Sequence, residues 1–173
     1  VRPFFRATCP RIIADLREQL ALFGQTLRID ATLLKLEQAE APGGLLHGNR
    51  SAVYLGATYN TDVFIEEADL VASPGEVEDI KGLNSLFGED LVLLDNSTFD
   101  QLTADEALPI IARNHLENGI SQNLWYEQIV PRQSRFYTLI LHPSTDQYHG
   151  QFANSIHQQP VQIGGNDSIG YGF

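Results

Sequence analysis

The chain has 173 residues, 43% apolar and 19% charged, with a formal net charge of −11. That is enough apolar material for a domain with a core and excludes a disordered tail. The acidic balance argues against a general nucleic-acid binder, which is usually basic, but leaves room for local contacts made by backbone donors. No long uncharged apolar run is present to span a membrane, and "VRPFFRATCPRII" carries no signal peptide. The one cysteine, Cys9, fits a reducing cytoplasm. The chain begins at Val1 and contains no methionine, so it reads as a segment of a longer polypeptide.

In chain order, "TCPRIIADLREQLALFG" predicts a helix. Ile12, Ile13, Leu16, Leu20 and Phe23 fall on one face, Thr8 or Cys9 caps the start, Pro10 occupies the first turn, and Gly24 follows the end. Residues 37–51, with Pro, Gly, Asn and Ser, form a loop. Two strand candidates follow, "SAVYLGATY" and "TDVFIEEADLVA". In the second, the Glu66-Glu67 pair breaks the alternation, which predicts a bulge. Glu66, Glu67 and Asp69 have no His or further carboxylate at ligand spacing, so they read as a solvated strand edge rather than a metal site.

"SPGEVEDIKGLNSLFGEDLVLLDNSTFDQL" predicts a short helix, a turn at Gly88 and the strand "DLVLLD". A capping signal at Ser97-Thr98-Phe99-Asp100 then starts a helix near Phe99 that ends before Pro109. Between Pro109 and Pro131, the Asn118-Gly119 dipeptide predicts a hairpin with mixed flanks, an arm projecting from the body. "RFYTLILH" reads as a strand, "PSTDQYHGQFANSIHQQP" as a polar connection with a helical turn, and "VQI" as a last strand. Without repeats or linkers, residues 1–173 read as one domain.

The chain ends on "VQIGGNDSIGYGF". Such a glycine cluster permits positive φ and lets successive N–H groups converge on an anion such as phosphate, with Asn166 and Ser168 as further donors. A plain turn is the equal reading, because the pattern is neither a Walker loop nor a dinucleotide fingerprint. His47, His115, His142, His149 and His157 lack metal-ligand spacing, and no nucleophile elbow is present. His115 beside Arg113 reads as solvated or as a nuclease group, and Cys9 as a buried small residue. Arg2, Arg6 and Arg11 cluster at the start, while Arg113, Arg132 and Arg135 bracket the hairpin with Trp125 and Tyr126 between them. Cations interleaved with aromatics suit RNA, but an aromatic anchor plus surface charge fits the spacing equally.

Three segments together resemble one family. "VQIGGNDSIGYGF" resembles the C-terminal glycine-rich loop of the RAMP superfamily of CRISPR-associated proteins. "NLWYEQIVPRQSRFYTLI" and "VRPFFRATCPRII" resemble segments of the repeated backbone subunit of the type III-B (Cmr) effector complex, in matching order and over nearly the whole chain. The type III-A counterpart is the nearest confusable relative.

The resemblance implies an α+β, modified ferredoxin-like (RRM-like) RAMP fold, of which this is the C-terminal part, with a thumb hairpin over about residues 110–125. It implies a cytoplasmic, crRNA-binding subunit in antiviral defence, whose partners are crRNA, target RNA, further copies of itself and other Cmr-complex subunits, with no membrane. Gly164, Gly165, Asn166, Ser168 and Gly170 would lie against the guide backbone, with Arg113 and Arg2 as further RNA contacts. The intact family protein is a metal-dependent endoribonuclease that cuts target RNA, but its catalytic aspartate belongs to an N-terminal segment with no counterpart here. No catalytic residue, metal ligand or cofactor is therefore assigned to this chain. A protein-interaction or assembly module is the rival reading, and a small-molecule hydrolase ranks last.

Overall fold

Two apolar tetrapeptides, Ala52–Leu55 (β2) and Leu91–Leu94 (β5), are buried along their whole length. Strands buried on both faces need a layer on each side. They pair antiparallel, Ala52 opposite Leu94 through Leu55 opposite Leu91. In the computed structural model, which describes residues 5–48, 50–131, 134–138 and 148–157, they are the centre of a curled five-stranded sheet. β1 (Arg6–Thr8) runs parallel to β5 at one edge. β4 (Leu70–Pro74) runs parallel to β2 on the other side, and β3 (Val63–Ile65) closes that edge against β4. The order is β1-β5-β2-β4-β3.

Period-two alternation divides the central side chains between two cores. Val53, Leu55, Leu91 and Leu93 face a core shared with α1 (Pro10–Leu22), α2 (Asp30–Glu37) and α3 (Ile80–Phe87). Ala52, Tyr54, Val92 and Leu94 face the opposite core, with Phe99 and Leu102 of α4 (Asn96–Thr103) and the rings of Phe5 and Tyr59. The architecture is mixed α+β, and β3-β4-β2-β5 has the strand order and directions of a ferredoxin-like sheet. The first crossover is the short connection 56–62 in place of a helix, and β1 is an added edge.

Local chemistry accounts for the helices. α1 starts at buried Cys9 with Pro10 at its first position. It ends in a Schellman motif: Gly24 at φ +63° donates to the Ala21 carbonyl, and Gln25 donates to the Leu20 carbonyl. Burial pushes the Cys9 thiol above its ordinary pKa, which makes it a poor nucleophile. Arg17 of α1 pairs with Asp30 at 3.2 Å and with Glu37, both on α2. Arg11 forks onto Asp100 of α4, and the Arg11 amide donates to Asn96 Oδ1 at 3.0 Å.

The sequence reading needs correction. Residues 61–72 are not one bulged strand: a 3-10 turn at Glu66–Ala68 and Asp69 at φ +47° fold them into the β3–β4 hairpin. The break in alternation at Glu66-Glu67 is the turn itself, and aspartate tolerates the left-handed region better than most residues. α4 begins at Asn96, capped by Asp95, whose Oδ1 accepts from the Thr98 amide at 2.8 Å. β1 and α2 are further elements that the sequence pattern does not predict.

The chain divides into two compact units, Val1–Tyr137 and Thr138–Phe173. In the second, the described residues form α5 (His149–Ile156), where the sequence reading expected a helical turn within a polar connection. Residues 135–138, the described part of the expected strand "RFYTLILH", are in no strand, and Arg135 and Tyr137 instead hold the end of α3. "VQI" and residues 139–142 lie outside the described residues.

Tyr54 is a buried hub. Its hydroxyl donates to Asp90 Oδ1 at 2.5 Å and accepts from the Thr58 amide at 3.2 Å. Phe5 and Tyr59 pack edge-on against its ring. Burial, with the Asp90 bond, pushes its ionisation above the ordinary phenol value. Tyr54→Phe orphans both partners and is expected to destabilise the protein by about 1–3 kcal/mol, read in urea unfolding as a lower midpoint at unchanged slope. Arg11 holds the Asp100 carboxyl below its ordinary pKa through a hydrogen bond and charge. A depressed carboxylate stabilises the fold above its unfolded pKa, and that contribution is lost as pH falls through the lower folded value. Stability measured from pH 5 down to pH 2 should therefore fall less steeply in Asp100→Asn than in the parent.

Candidate functional site

Asn118 and Gly119 both lie at positive φ, +53° and +80°, as a type I′ turn requires. They join β6 (Ile110–Glu117) to β7 (Ile120–Gln128) in a separate two-stranded sheet. No residue of β7 is buried: Ile120 is 65% exposed and Tyr126 68%. An isolated hairpin is marginal in water, so this arm relies on its root and on its own cross-strand contacts. At the root, Ile129 donates to the Pro109 carbonyl at 3.0 Å and the Gln128 side-chain amide donates to the Asp105 carbonyl. Just beyond, Arg135 and the Tyr137 hydroxyl both donate to the Leu86 carbonyl at the end of α3, at 3.0 and 3.3 Å. Tyr137 packs edge-on against Phe87, and burial raises its pKa.

A register shift between His115 and Leu116 leaves Gln122 as the extra residue. Below this bulge, Arg113 lies directly opposite Trp125, and Ile111 opposite Glu127. Period two puts Ile111, Arg113, His115, Asn123, Trp125 and Glu127 on one face of the arm, and Ile110, Ala112, Asn114, Leu124, Tyr126 and Gln128 on the other. On the first face one carboxylate joins the strands. Glu127 Oε2 accepts from Arg113 Nε, and Oε1 accepts from Trp125 Nε1, both at 3.0 Å. The Arg113 and Glu127 side chains are 18% and 26% exposed, whereas Trp125 is 40% exposed.

The other expected site residues separate into two groups. Arg2, Gly164, Gly165, Asn166, Ser168 and Gly170 lie outside the described residues. Arg6 and Arg11, which the sequence groups with Arg2, are tied into the fold, Arg6 donating to the Glu89 carbonyl at 3.2 Å and Arg11 pairing with Asp100. Arg132 is outside the described residues, and His115 is exposed. Glu127 was not foreseen as a site residue. Its spacing from Trp125 places the two on one face, but the pairing with Arg113 depends on the bulge.

Among the described residues, no group of three His, Cys, Asp or Glu side chains is placed to hold a metal ion. No helix among them is long and apolar enough to cross a membrane. An open cleft of about 590 Å³ lies beside α2, lined in part by Leu34, Lys35, Pro42, Gly44 and Arg50, with Lys35 donating to the Glu76 carbonyl at 3.1 Å. It brings together no nucleophile and base.

The chain matches no protein-family model, no curated protein and no solved structure.

Gly119 sits in open space, so a substitution there tests the backbone alone. Gly119→Ala is expected to weaken the arm by roughly 1–2 kcal/mol, seen as faster amide exchange across residues 110–128 with exchange in β2 and β5 unchanged.

Proposed function

We propose that this chain is the C-terminal part of a RAMP-superfamily backbone subunit of a type III-B CRISPR complex, and that it holds guide RNA. The observation that carries the reading is the arm Ile110–Gln128. It is an exposed, aromatic-bearing hairpin rooted beside a sheet compatible with a ferredoxin-like fold. It lies between the Thr-Cys-Pro helix and the terminal glycine cluster, where the resemblance expects a thumb.

In this reading Gly164, Gly165, Asn166, Ser168 and Gly170, with Arg2, lie along the ribose-phosphate backbone of the crRNA. Backbone amides and few cations would do the holding, which is compatible with a net charge of −11 carried elsewhere on the surface. Further copies of the chain and other complex subunits would be its neighbours, and target RNA would pair with the guide it displays. Metal-dependent target cleavage is assigned to none of the residues of this chain.

The test is anisotropy of a labelled single-stranded RNA titrated with the full chain across a salt series. Binding should tolerate changes of sequence and weaken as salt rises. Gly165→Val should lower affinity about tenfold, equivalent to ~1.4 kcal/mol. Unchanged affinity in that variant would leave the glycine cluster a plain turn. Oligomers that form without RNA and ignore ionic strength would favour an assembly module instead.

A further inference from the structure

We infer that Trp125 is a stacking platform for an unpaired nucleobase, with Glu127 as the residue that positions its indole. Arg113 then anchors Glu127 and is not a phosphate contact. The inference rests on the RNA-binding reading above and deepens it.

An indole has a single polar group, its N–H donor. In Trp125 that donor is spent on Glu127 Oε1. Whatever meets the exposed part of the ring therefore meets carbon and π-electrons, with no hydrogen bond left to read an edge. Stacking of that kind tolerates any base, because every base has a π-face. The other oxygen of the carboxylate is held by Arg113 from the facing strand. The carboxylate thus closes a ring across the hairpin, and the indole is ordered before any ligand arrives. Such preorganisation lowers the entropy lost on binding.

The same geometry disfavours a phosphate at Arg113. An anion approaching that guanidinium would come within a few ångströms of Glu127, and like charges repel most strongly where water is partly excluded. Arg113 and Glu127 are also the less accessible pair, and the ring is the most exposed of the three. The surroundings favour a base over an apolar protein partner. On this face the exposed neighbours of Trp125 are His115 and Asn123, and the one apolar neighbour, Ile111, is half-buried, whereas the centre of a protein interface is contiguous and apolar.

Trp125 is the one tryptophan of the chain, so fluorescence excited beyond the tyrosine absorption band reports on this site alone. Titrating the full chain with short oligouridylate and oligoadenylate should quench its emission saturably with both, in step with the anisotropy of a labelled strand. Trp125→Ala should lower affinity about ten- to a hundredfold, whereas Trp125→Phe, which keeps a π-face but loses the N–H that Glu127 holds, should fall between Trp125→Ala and the parent, at about threefold to tenfold weaker. Neither should change the slope of log affinity against log salt, and nor should Arg113→Ala. Glu127→Gln offers one acceptor oxygen to two donors. It should shift the emission of the free protein and weaken binding about threefold or more, effects that a purely scaffolding role would not give together with unchanged thermal unfolding.

A salt slope shallower by about one in Arg113→Ala would make Arg113 a phosphate contact and overturn the assignment. RNA binding without quenching would overturn the stacking site and leave the guide-RNA reading standing. Absence of any RNA binding would overturn both. Emission that changes with protein concentration alone would mean that a second copy covers the ring, and would also overturn it.

Discussion

The antiparallel pairing of Ala52–Leu55 with Leu91–Leu94 is the constraint from which the rest of the molecule follows. Two strands whose one polar side-chain group, the Tyr54 hydroxyl, is hydrogen-bonded within the protein cannot face water on either side, so helices cover one face and α4 with an aromatic cluster the other. Each burial is worth roughly 1.5–3 kcal/mol for a large aliphatic side chain; Leu55 and Leu93 contribute theirs to the core under α1–α3, and Val92 and Leu94 to the opposite one. The network joining Arg11, Asn96, Asp100 and Glu40 then fixes how α1 and α4 meet, with the Asn96 amide donating to Glu40 at 2.6 Å. Its exposed ion pair contributes less than the apolar layers it aligns.

What was legible in the sequence was local. Pro10, the Ile13–Leu16 spacing and Gly24 specify α1 from start to stop, "LVLL" is a buried strand by composition alone, and Asn118-Gly119 can only turn one way. What was missed depends on distant partners. β1 is three residues long and is a strand only because β5 lies beside it. α2 has no side-chain cap and is held by Arg17 and by packing of Leu33 and Leu36 against the first core. At α4, Asp95, Asn96, Ser97 and Thr98 are all capping residues, and the choice among them is made by Glu40 and Arg11, which occupy Asn96.

The arm shows the same division at the level of a site. Trp125, Tyr126 and Arg113 stand out in the sequence because cations and aromatics alternate there. Their geometry does not, because one extra residue decides it. Counting back from the turn with regular pairing would put Arg113 opposite Leu124, and the bulge at Gln122 moves it opposite Trp125. Only then does Glu127, two positions further along the same face, reach both donors. The resemblance implied a ferredoxin-like core left incomplete in this chain, whereas all four strands of a ferredoxin-like order are present, with the connection 56–62 where such a sheet has its first helix.

The Leu86 carbonyl belongs to the last turn of α3, where a helix leaves acceptors unsatisfied. Arg135 and Tyr137 both take hold of it, and Phe87 beside it is buried between the helices and the sheet. The chain leaving the hairpin is thus fastened to the end of a core-packed helix, while its other end is clasped at Pro109. A load applied at the Asn118-Gly119 tip is carried into α3 and the sheet instead of being dissipated at a joint. The projecting element is mechanically a cantilever, able to keep whatever it touches at a set distance from the body.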